Sequence, residues 1–585
     1  MNEPRPLLGV ERSILGRRWE TRTDDAAIEA FQQVSGCDRV VSALLAGRGV
    51  AGEAAQRYLN PTLKADLPDP SVLTDMDKAA SLILDALQAG RKITLFSDYD
   101  VDGGTSAAQM MRWGRGLDYT FGLHVPDRVR DGYGPSVKAF ETLKADGTDL
   151  VVTLDCGAAA HEALAGAADL DLPVVVVDHH LMDGLPPAAA IVNPNRPDDA
   201  SGLGHLAAAG VTFMLVVALN REAKRRGLDP RLDIRELLGL AGLGTVCDVV
   251  PMTGLNRLLV KRGLQVMDRQ GIAGLNALSA IANTAPPYTT YHLGFVLGPR
   301  INAGGRIGRS EMGAELLSTD NQAIATAHAY ELDRLNRDRR AMQDDMLRGA
   351  IEQAERQANR AVIVASMEGW HPGVIGIVAG RLKDRFEKPA IVIGIDDDGT
   401  GKGSGRSIRG VDLGSALVEA KKSGLLSSGG GHAMAGGLTI GREALPRFTD
   451  WIEDRLSPDV ATARAAPVAK ADMALSAGGV TPDLLGKIEA AGPYGPMNPR
   501  PAFAVSGVKI VYANRLNGGH VRFTAEGRGG DRLSGILFRG DETDLGLALL
   551  EAGERRVHLL GQVKSNRYKG QTRADFHLTD MAWAD

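Results

Sequence analysis

Three aspartates alternate in the stretch SDYDVDGGTS: Asp98, Asp100 and Asp102, followed at once by Gly103 and Gly104. Carboxylates spaced this closely repel, and each raises its neighbours' affinity for a proton. Three arrangements make such crowding tolerable: a calcium loop, a catalytic metal site, or a solvated acidic turn. The calcium reading matches Asp98, Asp100, Asp102 and Gly103 to the start of an EF-hand loop, which then requires a glutamate at its twelfth position and a helix before it. The twelfth position is Gln109, and the preceding RKITLF has the texture of a strand.

Further acidic and imidazole groups close other short apolar runs. DLVVTLDCG ends with Asp155, LPVVVVDHH with Asp178, His179 and His180, and GLGTVCDVVP carries Asp248. Helical patterns such as TSAAQMMRWGRGL and SVKAFETLKA separate the runs. That alternation predicts a parallel α/β sheet covered on both faces. The carboxyl ends of parallel strands line one crevice, so these residues are expected to converge there. Carboxylates with one or two imidazoles suit Mn²⁺ or Mg²⁺, and no Cys/His cluster of the structural-zinc kind is present. Five or six such ligands suit two ions about 3.5–4 Å apart better than one ion that keeps its water. The ions would also offset the carboxylate repulsion. Cys156 and Cys247, beside proposed ligands, read as small buried residues.

These elements need a larger frame. The chain has 585 residues, too many for one core. Residues 1–75 read as an N-terminal extension and 76–318 as the α/β unit above. Residues 319–358 form one long polar helical pattern with a narrow stripe of Leu332, Leu335, Met342 and Met346, suited to bridging domains. Residues 359–455 form a second, smaller α/β unit with glycine-rich loops, and 456–499 read as a linker. Residues 500–585 hold five short strand patterns, which suggest a small barrel with the OB-fold as leading assignment.

The glycine-rich stretches GKGSGRSIRG and LLSSGGGHAMAGG add Lys402, Ser404, Arg406, Arg409, Gly430, Gly431 and His432, groups suited to gripping an anion. Arg300, Asn302 and Arg306 are further candidates, with an interdomain salt-bridge role as the alternative. In the terminal module Arg515, Arg522, Arg532, Arg539, Lys564, Arg567 and Lys569 interleave with Tyr512, Phe523, Phe538 and Tyr568, as a single-strand groove requires, although half of those rings suit a barrel core equally.

Taken in order, DYDVDG, LDCG, VDHH and GTVCDVVP resemble the four motifs of the DHH phosphoesterase superfamily. VVSALLAGRGV, LGPRINAGGRIGRS, GWHPGVIGIVAGRLKDRFEKPAIVI, GGGHAMAGGLTI and GPYGPMNPRPAF extend the resemblance over nearly the whole chain, to the single-stranded-DNA-specific exonucleases of that superfamily. The resemblance implies a DHH catalytic domain, a DHHA1 domain joined to it by the long helix, and a terminal OB-fold. It implies metal ligands at Asp98, Asp100, Asp102, Asp155, His179 and Asp248, with Asp155 bridging two ions, Mn²⁺ or Mg²⁺. Many superfamily members carry a histidine slightly upstream in place of Asp98. His180 would contact the scissile phosphate or assist proton transfer, and the glycine-rich loops would hold the substrate's terminal phosphate and backbone. PDDASGLGHLAAAGVTF departs from the family's usual small residues, which reads as packing variation.

The implied activity is 5′→3′ degradation of single-stranded DNA to mononucleotides in repair and recombination, with single-stranded-DNA-binding protein and repair factors as partners; a self-contained multidomain chain points to a monomer. Two alternatives remain: another DHH enzyme for small substrates, either a phosphodiesterase for short oligonucleotides or cyclic dinucleotides or an inorganic pyrophosphatase, and a DNA-binding scaffold with a dead nuclease core. Three cysteines make no disulfide framework, which points to a reducing cytoplasm. The N-terminus lacks a signal-peptide pattern. The apolar run at 205–219 is too short to span a membrane and reads as a buried helix. The net charge of −5 neither advertises nor excludes a nucleic-acid partner, because local stripes contact phosphates.

Overall fold

The computed structural model describes residues 6–128, 130–269, 271–465, 467–568 and 571–584. The side chains of 567–572 lie outside that description, and with them the expectations for Arg567, Tyr568 and Lys569. The chain forms two compact units, Leu67–Ala463 and a second made of Met1–Asp66 with Arg464–Asp585.

In the first unit a five-stranded sheet is parallel throughout. Its spatial order is Gly122–His124, Ile93–Ser97, Leu150–Leu154, Val174–Val177, Ala190–Val192. The three central strands are buried along their whole length, so they read as unbroken apolar runs. The chain reverses its direction of strand addition between Ile93–Ser97 and Leu150–Leu154. At such a switch point the loops diverge and leave a crevice. Asp98 and Asp155 stand at its two lips.

Helix Gln322–Arg356 begins at Asn321, whose side chain accepts from the amides of Ala323 and Ile324. It packs against helices Ala273–Ile281, Gly298–Ile307 and Pro372–Phe386. Its buried face includes Leu332, Leu335 and Met346, but Met342 is exposed; Arg339 and Gln343 fill that stretch of the face instead. Beyond the helix a mixed sheet has the order Ser428–His432, Ala435–Gly441, Thr400–Arg406, Ala390–Ile395, Ile363–Glu368. The glycine-rich stretches expected as loops are therefore largely strands. Their glycines allow close layering: a Cβ on Gly405 would sit 2.6 Å from the Leu413 side chain.

In the second unit, strands Phe503–Leu516, His520–Glu526, Arg532–Leu537, Gln571–Trp583 and Arg556–Tyr568 close into a five-stranded barrel, the last pairing back to the first. Phe523 and Phe576 fill it, while Tyr512 and Phe538 are exposed. Residues 456–499 are not an extended connection. They contain the end of helix Leu445–Arg464, strands Val468–Ala471 and Met473–Leu475, and helix Pro482–Ala491. The early strand Arg18–Thr21 pairs in parallel with Val468–Ala471. Trp19 Nε1 and Ser13 Oγ both donate to Asp580 Oδ2, at 3.1 and 2.7 Å. The opening segment is thus built into this unit.

Candidate metal centre

The aspartate stretch folds as a strand end followed by a helix N-terminus. Asp100 caps helix Val101–Arg115: its Oδ1 accepts from the amides of Asp102 (2.8 Å) and Gly103 (3.2 Å). Position 103 must lack a side chain, because a Cβ there would stand 2.4 Å from the Asp98 carbonyl oxygen. Asp102 reaches a second helix start, where its two oxygens accept from the amides of Ala208 (2.7 Å) and Ala209 (2.8 Å). Asp155 follows its strand with φ +63°, a left-handed conformation that aspartate tolerates better than most residues and that re-aims the side chain into the crevice. Asp248 directly follows helix Leu238–Cys247.

These groups meet His179. Its Nε2 lies 3.3 Å from Asp155 Oδ1, 3.5 Å from Asp248 Oδ2 and 3.9 Å from Asp102 Oδ2. Asp98, Asp100 and Asp155 form a second group whose ligand atoms lie within 4.8 Å of one another. Asp155 thus belongs both to the group with Asp98 and Asp100 and to the histidine side. The six sequence-selected residues converge on one space.

Burial first, and neighbouring carboxylates second, push Asp102 up to about 7 and Asp248 up to about 9; Asp98 and Asp155 are raised for the same reasons. Burial, then the proximity of His180, pushes His179 down to about 4, leaving its imidazole neutral at neutral pH. Asp98 Oδ1, Asp155 Oδ1, His179 Nε2 and Asp248 Oδ2 are buried without a hydrogen-bond partner. Four orphaned acceptors facing one another are costly unless a cation sits among them. The donor set, oxygen-rich with one imidazole, fits Mn²⁺ or Mg²⁺.

Asp178 has a different task. Its Oδ2 accepts from Ala158 N (2.8 Å), and its Oδ1 from His179 N (2.7 Å) and His180 N (3.2 Å). The same Oδ1 lies 2.8 Å from His180 Nδ1. Burial opposes its ionisation, but the hydrogen bond from His180 and the charge of the two imidazoles hold it down at about 2. It orients the His180 ring, as supporting carboxylates do in metal sites, and ties down the backbone of both histidines. On the other side of His180, the Tyr133 hydroxyl donates to the Asp155 carbonyl (3.1 Å) and lies 3.2 Å from His180 Nδ1 and 3.3 Å from Nε2. Tyr133 went unnoticed in the sequence; its one signal is the pair of glycines that flank it, both at positive φ. Cys156 is buried, and the Cys247 thiol donates to the Leu293 carbonyl at 3.6 Å.

A cavity of about 650 Å³ collects Arg128, Arg306, Lys402, Ser404, Arg406 and Gly430. No described carboxylate lies within salt-bridge distance of Arg128, Arg306 or Arg406. Burial, then Arg128, lowers both Arg306, to about 10, and Arg406. Such crowded cations favour an anion between them. Arg128 was not among the sequence candidates. Other candidates are placed elsewhere. Arg300 is held by Asp333 (2.9 Å) and the Val296 carbonyl (2.7 Å), the salt-bridge alternative. Asn302 Oδ1 accepts from Val101 N (3.1 Å), supporting the aspartate helix. Arg409, Gly431 and His432 are exposed and do not line the cavity. Backbone pairing of Gly431 and His432 into the hairpin carries them to its end.

Comparison with known proteins identifies the domains that carry these residues. Residues 92–245 match the model of the DHH family, N-terminal domain, 359–457 the DHHA1 domain, and 471–580 the RecJ OB domain. The single-stranded-DNA-specific exonuclease RecJ of Salmonella typhimurium is 35% identical over 92% of this chain and 95% of its own. RecJ of Bacillus subtilis is 33% identical over 97% of this chain and 71% of its own. The crystal structure of Thermus thermophilus RecJ with Mn²⁺ superposes with a TM-score of 0.80 at 28% identity, covering 96% of this chain and 78% of that one. The same protein has also been solved with Mg²⁺, with a TM-score of 0.74 at 27% identity and the same coverage. With a DHH sheet, a DHHA1 sheet and a RecJ-type OB barrel in one chain, the protein belongs to the RecJ family of single-stranded-DNA-specific exonucleases.

Proposed function

We propose that the chain hydrolyses single-stranded DNA from the 5′ end to mononucleotides, using two Mn²⁺ or Mg²⁺ ions held by Asp98, Asp100, Asp102, Asp155, His179 and Asp248. The observation that carries this reading is the set of four orphaned, buried ligand atoms around Asp155. When bound, the ions supply charge neutralisation at the phosphate and acidify the attacking water.

The chain's own groups do the rest. The basic cavity holds the terminal phosphate through Arg128, Arg306 and Arg406, which sets the strand's register. Water oxygen bonds to phosphorus as the bond from phosphorus to the 3′ oxygen breaks, and that oxygen takes up a proton. His180, held by Asp178, either delivers the proton or binds a phosphate oxygen. The 5′ start is the direction of the family; three arginines with no described carboxylate partner are suited to gripping a terminal phosphate at that end. We assign the enzyme to repair and recombination in the cytoplasm, as a monomer working with single-stranded-DNA-binding protein. No helix among the described residues is long and apolar enough to cross a membrane.

The test is degradation of a long DNA labelled at either end, beside matched duplex and RNA, with Mn²⁺ and with Asp155→Ala as control. Stepwise loss from the 5′ end of single strands, absent in the variant, is expected. Cleavage confined to di- to pentanucleotides would replace this substrate assignment with the short-oligonucleotide alternative.

A further inference from the structure

Two large aromatic side chains beside the metal centre are turned outward. Tyr291 is 63% exposed and Phe295 67% exposed, yet their rings stack at 5.4 Å between centroids with 22° between planes. Phe295 belongs to the wide π-helical segment His292–Leu297, and Tyr291 immediately precedes it. Leu293 and Leu297 of the segment are buried, so the inward side anchors while the ring pair faces solvent. Such segments recur at functional sites.

The anchoring is to the metal centre. The Leu293 carbonyl accepts from the thiol of Cys247, the residue before Asp248. Downstream, the same segment continues into helix Gly298–Ile307. There Asn302 supports the first amide of the aspartate helix, and a Cβ on Gly305 would stand 2.5 Å from the Tyr99 carbonyl oxygen. Arg306, one residue further, lines the basic cavity. One continuous rigid stretch therefore runs from the ring pair, past the aspartate loop, to the cavity. The eleven residue-to-residue steps from Phe295 to Arg306 span about 16 Å at helical rise. That length corresponds to about five nucleotides at stacked spacing, and fewer when the strand is stretched.

We propose that Tyr291 and Phe295 form a base-stacking platform for the single-stranded substrate, on the side of the metal centre away from the phosphate cavity. The proposal rests on the reading that the cavity holds the strand's terminal phosphate. Stacking on aromatic faces suits a strand of any sequence, because every base presents a π-face. A nucleic-acid occupant is favoured over a protein because the pair shares one rigid segment with both the aspartate loop and the cavity. A platform several nucleotides from the terminal phosphate engages long strands and is out of reach of a dinucleotide.

The experiment compares the wild-type chain with Y291A/F295A and with the ring-preserving Y291F/F295Y. Affinity is read from the anisotropy of fluorescein-labelled 5′-phosphorylated dT12 and from competition by 5′-phosphorylated dT2; hydrolysis is read separately as released nucleotide. Y291A/F295A is expected to weaken dT12 binding tenfold or more, leave dT2 competition within twofold of wild type, and leave kcat near wild type. Y291F/F295Y is expected to match wild type. Unchanged dT12 affinity in the alanine variant would overturn the proposal and leave the patch as a protein-docking face. Equal weakening of dT2 and dT12 would overturn it too, since the pair would then act through the metal centre. A wild-type chain that binds dT12 without cutting it counts against the exonuclease reading alone.

Discussion

Asp155 Oδ1 lies 3.3 Å from His179 Nε2, and both atoms are buried with no hydrogen-bond partner. Two lone pairs cannot face each other so closely without a proton or a cation between them. In Asp155→Ala the shared carboxylate is gone. We expect Mn²⁺ binding to fall below two ions per chain by calorimetry and turnover to drop at least a thousandfold. A variant that still binds two ions at wild-type affinity would remove Asp155 from the ligand set.

The raised carboxyls make the metal-free chain pH-sensitive. Asp102 and Asp248 titrate at about 7 and about 9 in the fold, above the ordinary carboxylate range, because burial and then neighbouring carboxylates favour the neutral form. A folded pKa above the unfolded one stabilises fully below about pH 4, and that stability is lost as pH rises through 7 and then 9. The Tm of the metal-free protein should therefore fall between pH 5 and 9, and saturating Mn²⁺ should flatten the fall. Binding at pH 7 should also release protons, seen as a buffer-dependent calorimetric enthalpy. A Tm independent of pH in the metal-free chain would contradict this.

Asp178 should matter for stability as well as for turnover. Its two oxygens serve three backbone amides and one imidazole in a buried site. Asp178→Ala leaves those donors unpaired, with an expected loss of about 2–4 kcal/mol in urea unfolding, and it frees the His180 ring. An unfolding midpoint equal to wild type would show that water replaces the carboxylate.

Tyr133→Phe removes one oxygen from a half-exposed side chain whose hydroxyl touches His180 and the Asp155 carbonyl. Turnover should slow by about a factor of ten, the equivalent of one charge-assisted hydrogen bond. KM should hold steady. Steady-state kinetics showing a change in KM alone would place Tyr133 in substrate binding.

Arg406 tests the cavity. Arg406→Ala should raise KM for 5′-phosphorylated single strands by roughly tenfold to a hundredfold. The slope of log KM against log salt should drop by about 0.7, the share of one phosphate contact on a single strand. A substrate with a 5′ hydroxyl should lose much of that sensitivity. Equal effects on both substrates would move Arg406 away from the terminal phosphate.

The convergence of the candidate metal centre was legible in the sequence because strand runs end in the candidate ligands. RKITLFSD, DLVVTLDCG and LPVVVVDHH each place a carboxylate where a parallel sheet opens, so convergence follows from topology. Tyr133 was not legible: it comes from an irregular loop 47 residues from His180 and carries no periodic signal. Arg300 looked like a phosphate ligand because Asp333, its partner, lies 33 residues away on another helix. The glycine-rich stretches were misread as loops because glycine is a poor strand former, and only the layering of Gly405 on Leu413 shows why it is there. The supposed linker looked unstructured because its short strands depend on partners elsewhere in the chain: Arg18–Thr21 for one, Phe503–Leu516 for the other.

The pairing of Arg18–Thr21 with Val468–Ala471 also constrains how the protein is made. A ribosome adds about 5–20 residues per second, so the first strand waits roughly 20–90 seconds for its partner. During that interval its apolar face, including Trp19, has no barrel to cover it. The nascent chain must carry an unfinished unit while a complete one folds in between. Slower translation or scarce chaperones should lower yield through this opening segment, even with every catalytic residue intact.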